Sequence, residues 1–275
     1  MGELINLPMD MAMNRGCACG SAMRDCSLWP EVMRRMKLSP DKPYALNLGY
    51  ALAKVGDARK TSRLYKLLTR PKIAIKYYQL RYGLPMLNAL TPGFELGIAN
   101  TLSVYDHVRA IQGKRMVVDS SKHYVRAAAL YLAQPDITRV VVLVRDGRGV
   151  FYSNLKRGFG RDFSLRAWHS HYKRALELLD RQVPESHRIL VHYEDMVTDT
   201  RGTLAKLCDF LGMEFEPGML DFRAGVHHNV NGNDMKFTSS SELRLDEAWK
   251  TKLEPADREY FERHAGSLNR RLGYA

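Results

Sequence analysis

The sequence VVVLVRDGRGVFYSNLKR, at residues 140–157, predicts a strand, a tight turn and a helix in succession. The unbroken, mostly β-branched run at 140–144 is typical of a strand that a parallel sheet buries on both faces. Gly147 and Gly149 allow the backbone to turn sharply and to approach a ligand, with a helix from about Gly149. Because open α/β sheets bind ligands at the carboxyl ends of their strands, this turn is a candidate binding site.

The side chains around this turn favour an anionic ligand. Arg145 lies at the end of the strand, where its planar guanidinium can bind a phosphate through two hydrogen bonds. Ser153 lies one helical turn beyond Gly149, so its hydroxyl can face the same anion. An ordinary turn with a solvated Arg–Asp pair is the alternative, and the buried strand before the turn makes it the weaker interpretation.

The surrounding pattern alternates strands with helices, which predicts an α/β fold with three layers around a parallel sheet. Further strands are expected at 115–119 and 189–192, and helices at 120–132, 164–181 and 200–211. The pattern at 44–113 is helical, with a break at Arg70-Pro71 and a new helix opened by Thr91-Pro92-Gly93.

A second strand end carries Asp119-Ser120-Ser121-Lys122. Backbone N–H groups, two hydroxyls and an ammonium at the start of a helix would form an anion site. A plain helix cap with an exposed lysine explains the same residues equally well.

Composition limits the classes of function. The 275 residues carry a formal net charge of +12, which suits anionic ligands. Nucleic acid is the less expected ligand, since the sequence has no zinc finger, RNP motif or long basic run. No apolar run approaches the roughly 20 residues that cross a bilayer, and the first residues do not resemble a signal peptide. We therefore expect a cytoplasmic protein without an integral membrane segment.

Three of the four cysteines, Cys17, Cys19 and Cys26, lie close together, whereas Cys208 is remote. Clustered thiols could contribute to a metal site, but structural zinc takes four ligands and no histidine follows nearby in the sequence. A disulfide would need an oxidising compartment. The favoured interpretation is reduced structural cysteines and no metal, with their role left open.

The motif at 145–153 resembles the 3′-phosphate motif of sulfotransferases that use 3′-phosphoadenosine-5′-phosphosulfate (PAPS): Arg at a strand end, Asp-x-Arg-x, and Ser eight residues after the first Arg. The resemblance to the bacterial family covers nearly the whole chain. It includes Gly2-Glu3-Leu4, Cys17-Ala18-Cys19-Gly20, Cys26, Trp29, Asp119-Ser120-Ser121-Lys122, Tyr193-Glu194-Asp195, His228-Asn229-Val230-Asn231-Gly232-Asn233, Trp249 and Leu272-Gly273-Tyr274.

The resemblance implies a P-loop-type sulfotransferase fold over one domain, 1–275, with a helical substrate-side insertion at 44–113 and a nucleotide-binding core and C-terminal helices at 114–275. It implies sulfuryl transfer from PAPS, without a metal, to a hydroxyl or amine of a small-molecule or carbohydrate acceptor. Glu3 would take the acceptor's proton, although a frayed terminal residue is the alternative, and Lys122 would approach the phosphosulfate. Expected cofactor-binding residues are Ser120, Ser121, Arg145, Ser153, Gly232, Asn233 and Lys236.

The family's Gly-rich 5′-phosphosulfate loop should precede Gly2, and no substitute occurs later in the sequence. We therefore expect a truncated or late-started product whose sheet lacks a middle strand.

The alternative function is a catalytically impaired relative that binds a 3′-phosphonucleotide or a partner only. A P-loop kinase would need Gly-x-x-x-x-Gly-Lys-Ser/Thr, which the sequence lacks. The oligomeric state cannot be predicted.

Overall fold

Strand β1, Val140–Val144, pairs in parallel with strand β2, Arg188–His192, in a computed structural model of the chain. The structure describes residues 1–48, 63–230 and 242–275. Within those ranges the sheet has these two strands, in a register that places Val144 beside His192. The strands predicted at 140–144 and 189–192 and an α/β fold with a parallel sheet are confirmed, and the three-layer arrangement stays a prediction.

Only one face of β1 is buried. Val140 and Val144 lie in the interior, whereas Val141 and Leu143, on the opposite face, are 44% and 51% exposed. The expectation of a strand buried on both faces was therefore wrong, because among the described residues no element covers that second face.

Helices account for most of the remaining described structure. Before β1 they are α1 Leu7–Ala12, α2 Trp29–Arg35, α3 Arg63–Tyr82, α4 Phe94–Gln112 and α5 Tyr124–Ala133. After β1 they are α6 Gly147–Lys156, α7 Arg161–Gln182, α8 Tyr193–Thr198, α9 Thr200–Leu211, α10 Trp249–Lys252 and α11 Pro255–Arg271. Short 3₁₀ helices span Leu4–Asn6, Pro43–Ala45, Pro85–Leu90, Glu185–His187 and Pro217–Leu220. Of the helices in the described ranges, none is both long and apolar enough for a bilayer crossing.

The described residues form two compact units. Unit 1 comprises Met1–Pro135 and the described part of Arg223–Ser240, and unit 2 comprises Asp136–Phe222 and the described part of Ser241–Ala275. The single domain predicted over 1–275, with its insertion at 44–113, stays a prediction.

The core of unit 2 packs α6, α7 and α11 against the buried face of β1. Phe151, Trp168 and Phe261 are its largest fully or almost fully buried side chains, with Trp168 and Phe261 ring centroids 5.6 Å apart. Leu165, Trp168 and Leu176 confirm the apolar stripe predicted along α7. Gly212, in the left-handed conformation, ends α9 as predicted.

The core of unit 1 includes the first residues of the chain. The N–H of Glu3 donates to the Val230 carbonyl (2.9 Å), and the N–H of Ser120 donates to the Gly2 carbonyl (2.9 Å). These bonds place Glu3 beside the 119–122 segment, from which it is separated by more than 110 residues of sequence.

Three predicted boundaries were wrong. Residues 115–119 form no strand in the structure. The Val118 carbonyl accepts from the Met1 amino group and the Ser120 N–H donates to the Gly2 carbonyl, and these two hydrogen bonds are too few to form a β-ladder. The next helix begins at Tyr124 rather than Ser120, since Lys122 has a left-handed backbone (φ 58°) that a helix excludes. Helix α3 continues through Arg70-Pro71, while Thr91-Pro92-Gly93 does precede α4.

Gly147 begins α6 where no side chain fits. A Cβ atom there would lie 2.5 Å from Cζ of Phe261 and 2.8 Å from the Trp168 ring. We predict that Gly147→Ala lowers the free energy of unfolding by about 1–3 kcal/mol through overpacking, as measured by urea denaturation. Gly218→Ala, in open space, is the matched control and should change it by less than about 0.5 kcal/mol. Equal effects of the two substitutions would contradict this packing account.

Candidate active site

The turn between β1 and α6 is built on the buried carboxylate of Asp146. It caps α6 by accepting the backbone N–H of Arg148 (2.9 Å). The same carboxylate accepts Nη2 of the Arg148 guanidinium at 2.7 Å. Asp146 therefore pairs with Arg148, and the pair is largely shielded from solvent, with 7% of the Asp146 side chain and 15% of the Arg148 side chain exposed.

The backbone donors of this turn are satisfied from the C-terminal part of unit 2. The N–H of Asp146 donates to Oε1 of Glu194 (3.2 Å), and the N–H of Gly147 donates to Oδ1 of Asn269 (2.8 Å). Tyr274 donates its hydroxyl to Oε2 of Glu194 at 2.6 Å, and burial together with this bond raises the pKa of Tyr274. The sequence pointed to Glu194 and Tyr274 only through the family resemblance. In the structure both residues help to hold the turn, because Glu194 accepts the Asp146 N–H and Tyr274 donates to Glu194.

Arg145 emerges at the end of β1 with its guanidinium partly exposed. Nη2 donates to the backbone oxygen of Asp246 (2.9 Å) and to its carboxylate (3.3 Å). The guanidinium lies 4.7 Å from the ring centroid of Tyr193, a cation–π distance. The pKa of Asp246 is lowered, first by the N–H of Ala248 and then by Arg145. Sequence reasoning missed Asp246, and it named Tyr193 by resemblance without linking it to Arg145.

Gly149 and Ser153 complete this strand end. A Cβ on Gly149 would lie 3.0 Å from the Trp249 ring and 3.4 Å from Nε of Arg145, so glycine allows both to approach α6. Ser153 is one turn further along the same face of the helix. In the described part of the chain its hydroxyl has no hydrogen-bond partner. Arg145 and Ser153 therefore belong to the same strand–helix segment of unit 2, with Gly149 between them in the sequence.

Unit 1 brings together Glu3 and Lys122. Nζ of Lys122 donates to Oε1 of Glu3 at 2.7 Å, and the amide of Asn6 donates to Oε2 at 3.1 Å. The lysine side chain is 72% exposed and the glutamate side chain 20%, so the pair lies at the surface with the carboxylate held in place. Glu3 is not a frayed terminal residue in this structure.

Asp119 organises the residues that precede Lys122. Its carboxylate accepts the Ser121 N–H (3.0 Å) and hydroxyl, and the Tyr105 hydroxyl at 2.6 Å. The buried guanidinium of Arg126 lies 3.8 Å away. Burial and the Asp119 charge raise the pKa of Tyr105. The Ser121 hydroxyl is thus committed to Asp119, whereas the Ser120 side chain is exposed.

The predicted site residues fall into two sets. Arg145 and Ser153 lie in unit 2, and Glu3, Ser120, Ser121 and Lys122 lie in unit 1. Gly232, Asn233 and Lys236, predicted to cover the nucleotide, lie outside the described residues.

The helical region of unit 1 contains an apolar pocket of about 270 Å³. Phe94, Ile98 and Leu102 of α4 line it together with the ends of α3 and α5, and Lys76 and Glu95 carry its charges. Three tyrosines at the end of α3 pack with one another: Tyr77 lies edge-on to Tyr78 at 5.2 Å, and Tyr78 stacks on Tyr82 at 6.2 Å.

Comparison with curated proteins finds rat sulfotransferases. Sulfotransferase 2A2 of Rattus norvegicus is 25% identical over 166 residues, covering 53% of this chain and 56% of that protein. Sulfotransferase 2A1 of the same species is 58% identical over 33 residues, 12% of each chain. The chain thus matches between about an eighth and about half of the length of these relatives.

Two solved sulfotransferase domains are similar in structure. The domain from the curacin biosynthetic pathway has 18% identity and a TM-score of 0.44, covering 73% of this chain and 78% of that one. The domain from the Synechococcus olefin synthase has 20% identity and a TM-score of 0.46, covering 78% of each. The family model described as "Sulfotransferase family" matches residues 74–217, which is more than half of the chain. The chain therefore belongs to the sulfotransferase family.

Proposed function

We propose that this protein transfers a sulfuryl group from PAPS to a hydroxyl or amine of a small-molecule or carbohydrate acceptor. The observation that supports this most is Arg145 at the end of β1, partly exposed and adjacent to Gly149, with Ser153 one helical turn further on. A guanidinium and a hydroxyl on one strand–helix turn suit the 3′-phosphate that distinguishes PAPS from ordinary adenine nucleotides.

The phosphate takes the place of Asp246 on Arg145. The carboxylate is 57% exposed and meets the guanidinium at 3.3 Å, so it can move aside when a dianion arrives. Such exposed ion pairs contribute only about 0–1 kcal/mol, whereas hydrogen bonds to a charged phosphate contribute about 1.5–3 kcal/mol. We therefore expect the exchange of the Asp246 carboxylate for phosphate to be favourable, while the bond from Arg145 to the Asp246 backbone oxygen can remain.

Glu3 and Lys122 supply the acid–base chemistry. The acceptor oxygen or nitrogen attacks sulfur in line, the bond from sulfur to the 5′-phosphate oxygen breaks, and 3′-phosphoadenosine-5′-phosphate (PAP) leaves. The Glu3 carboxylate takes the acceptor's proton. Lys122 neutralises negative charge that develops on the leaving phosphate, and the exposed Ser120 hydroxyl can donate to it.

The alternative is a relative that binds PAP or a partner without catalysis. The two functions separate in one pair of measurements, PAP binding followed by transfer of labelled sulfate from PAPS to a panel of phenols, amines and sugars. Binding with transfer supports the proposed enzyme, and binding without transfer to any acceptor supports the alternative.

Arg145→Ala should weaken PAP binding by about 10- to 100-fold, because a charge-assisted hydrogen bond contributes about 1.5–3 kcal/mol. Isothermal titration calorimetry measures the change. Arg263→Ala is the matched control. It removes the same charge from an exposed arginine that pairs with Glu259 on α11. Unchanged PAP affinity in Arg145→Ala would show that the phosphate binds elsewhere.

Asp246→Ala should tighten PAP binding by up to about fivefold, because it removes a carboxylate that competes with the phosphate for Arg145. The ion pair that PAP must otherwise break contributes about 0–1 kcal/mol. The same titration measures it, with Asp195→Ala as a control that removes a carboxylate of unit 2 exposed to a similar degree. Weaker binding in Asp246→Ala than in the control would mean that Asp246 supports the ligand and does not compete with it.

Glu3→Gln should lower kcat by about 10²- to 10⁴-fold, the usual contribution of a general base, with little change in PAP affinity. Turnover with the best acceptor of the panel is compared with calorimetric PAP binding. Glu31→Gln, on α2 of the same unit, is the control and should retain full turnover. An undiminished kcat in Glu3→Gln would exclude this residue as the base.

A further inference from the structure

Three thiols and one imidazole from distant parts of the sequence converge in unit 1. The sulfur atoms of Cys19 and Cys26 are 3.8 Å apart, and those of Cys17 and Cys26 are 3.7 Å apart. Nδ1 of His228 lies 3.2 Å from the Cys26 sulfur and 4.0 Å from the Cys17 sulfur. All four potential ligand atoms fall within 4.8 Å of one another.

The segments that carry these atoms are held by backbone hydrogen bonds. Cys17 and Cys19 lie in a tight hairpin, in which the N–H of Cys17 donates to the Ser21 carbonyl (2.8 Å) and Gly20 adopts a left-handed φ of 91°. Cys26 precedes α2 by three residues. His228 lies two residues before Val230, whose N–H donates to the Met1 carbonyl at 2.9 Å.

The spacing is that of a tetrahedral metal site. Four ligands around zinc, with Zn–S bonds of about 2.3 Å, leave their sulfur atoms about 3.8 Å apart. A disulfide would bring two sulfur atoms to about 2.05 Å, and the four cysteines are all free. The observed separations of 3.7 and 3.8 Å therefore fit a shared metal better than a covalent bridge.

The surroundings suit a structural metal. Cys17 and Cys26 are buried within the apolar core of unit 1, next to Met23, Leu28 and Trp29. Buried cysteines can also pack as small apolar groups without any metal. Such packing does not explain why the ring nitrogen of His228, more than 200 residues away in the sequence, lies beside the Cys26 sulfur.

We propose that Cys17, Cys19, Cys26 and His228 bind one Zn²⁺ ion as a structural site. Four protein ligands complete the tetrahedron and leave no position for substrate, so the ion ties the hairpin, the start of α2 and the segment at 223–230 together. The sequence interpretation set a metal aside because no histidine lay nearby in the chain. The structure removes that reason by bringing His228 to the thiols.

The zinc content of the full-length chain, purified in thiol reductant from zinc-supplemented cells, tests the site. Mass spectrometry of the metal should find one zinc per chain that survives dialysis. Cys26→Ala and His228→Ala should lose it, and Cys208→Ala should keep it, because Cys208 lies in unit 2 beside Met219. Zinc at background level in the wild-type chain, or equal zinc in Cys26→Ala and the wild type, would overturn the proposal.

Cobalt substitution of the wild-type chain gives a readout that does not depend on a folded variant. Co²⁺ in a tetrahedral site with three thiolates should show intense thiolate-to-metal absorption and strong visible d–d bands, and stoichiometric Zn²⁺ should abolish both. A cobalt spectrum without thiolate bands, a disulfide among the three cysteines in the reduced native chain, or iron in place of zinc would overturn the proposal.

Discussion

The turn after β1 depends on the buried carboxylate of Asp146. A strand that enters a helix within three residues must satisfy several backbone N–H groups away from water, and each one left unpaired costs about 1–3 kcal/mol. Asp146 accepts the N–H of Arg148, while Glu194 and Asn269 accept the N–H groups of Asp146 and Gly147. Unit 2 therefore closes the inner side of the turn with its own side chains and leaves the side of Arg145 facing outward.

This arrangement gives the two arginines of the turn different roles. Arg148 is committed to Asp146, to the backbone oxygen of Ala275 and to the ring of Trp249, so it serves the fold. Arg145 rests on Tyr193 and donates to Asp246, both to its backbone oxygen and to its exposed carboxylate. Under the proposed function, a guanidinium already held against an aromatic ring and paired with a carboxylate loses little side-chain freedom when the phosphate binds.

Local patterns allowed much of unit 2 to be predicted. The apolar run of β1, the stripe of α7 and the glycine after α9 each act through neighbouring residues, and the structure has them where expected. The errors arose where distant segments decide the conformation. Residues 115–119 bond to Met1 and Gly2 rather than to a strand, Lys122 takes a left-handed backbone beside Glu3, and His228 joins cysteines more than 200 residues away.

The proposed anion site shows the same division. Arg145, Gly149 and Ser153 could be chosen from spacing alone, because a strand end and one helical turn fix their neighbourhood. Their partners could not, since Asp246 is 101 residues from Arg145 in the sequence. Sequence reasoning thus selected the cation of the proposed site and missed the carboxylate that pairs with it.

The crystal structure of the chain with bound PAP tests the central claim most directly. We expect the 3′-phosphate within hydrogen-bond distance of the Arg145 guanidinium and the Ser153 hydroxyl, with the Asp246 carboxylate moved away from Arg145. A PAP molecule whose 3′-phosphate contacts neither Arg145 nor Ser153, with the Arg145–Asp246 pair intact, would contradict the assignment of this strand end as the nucleotide site.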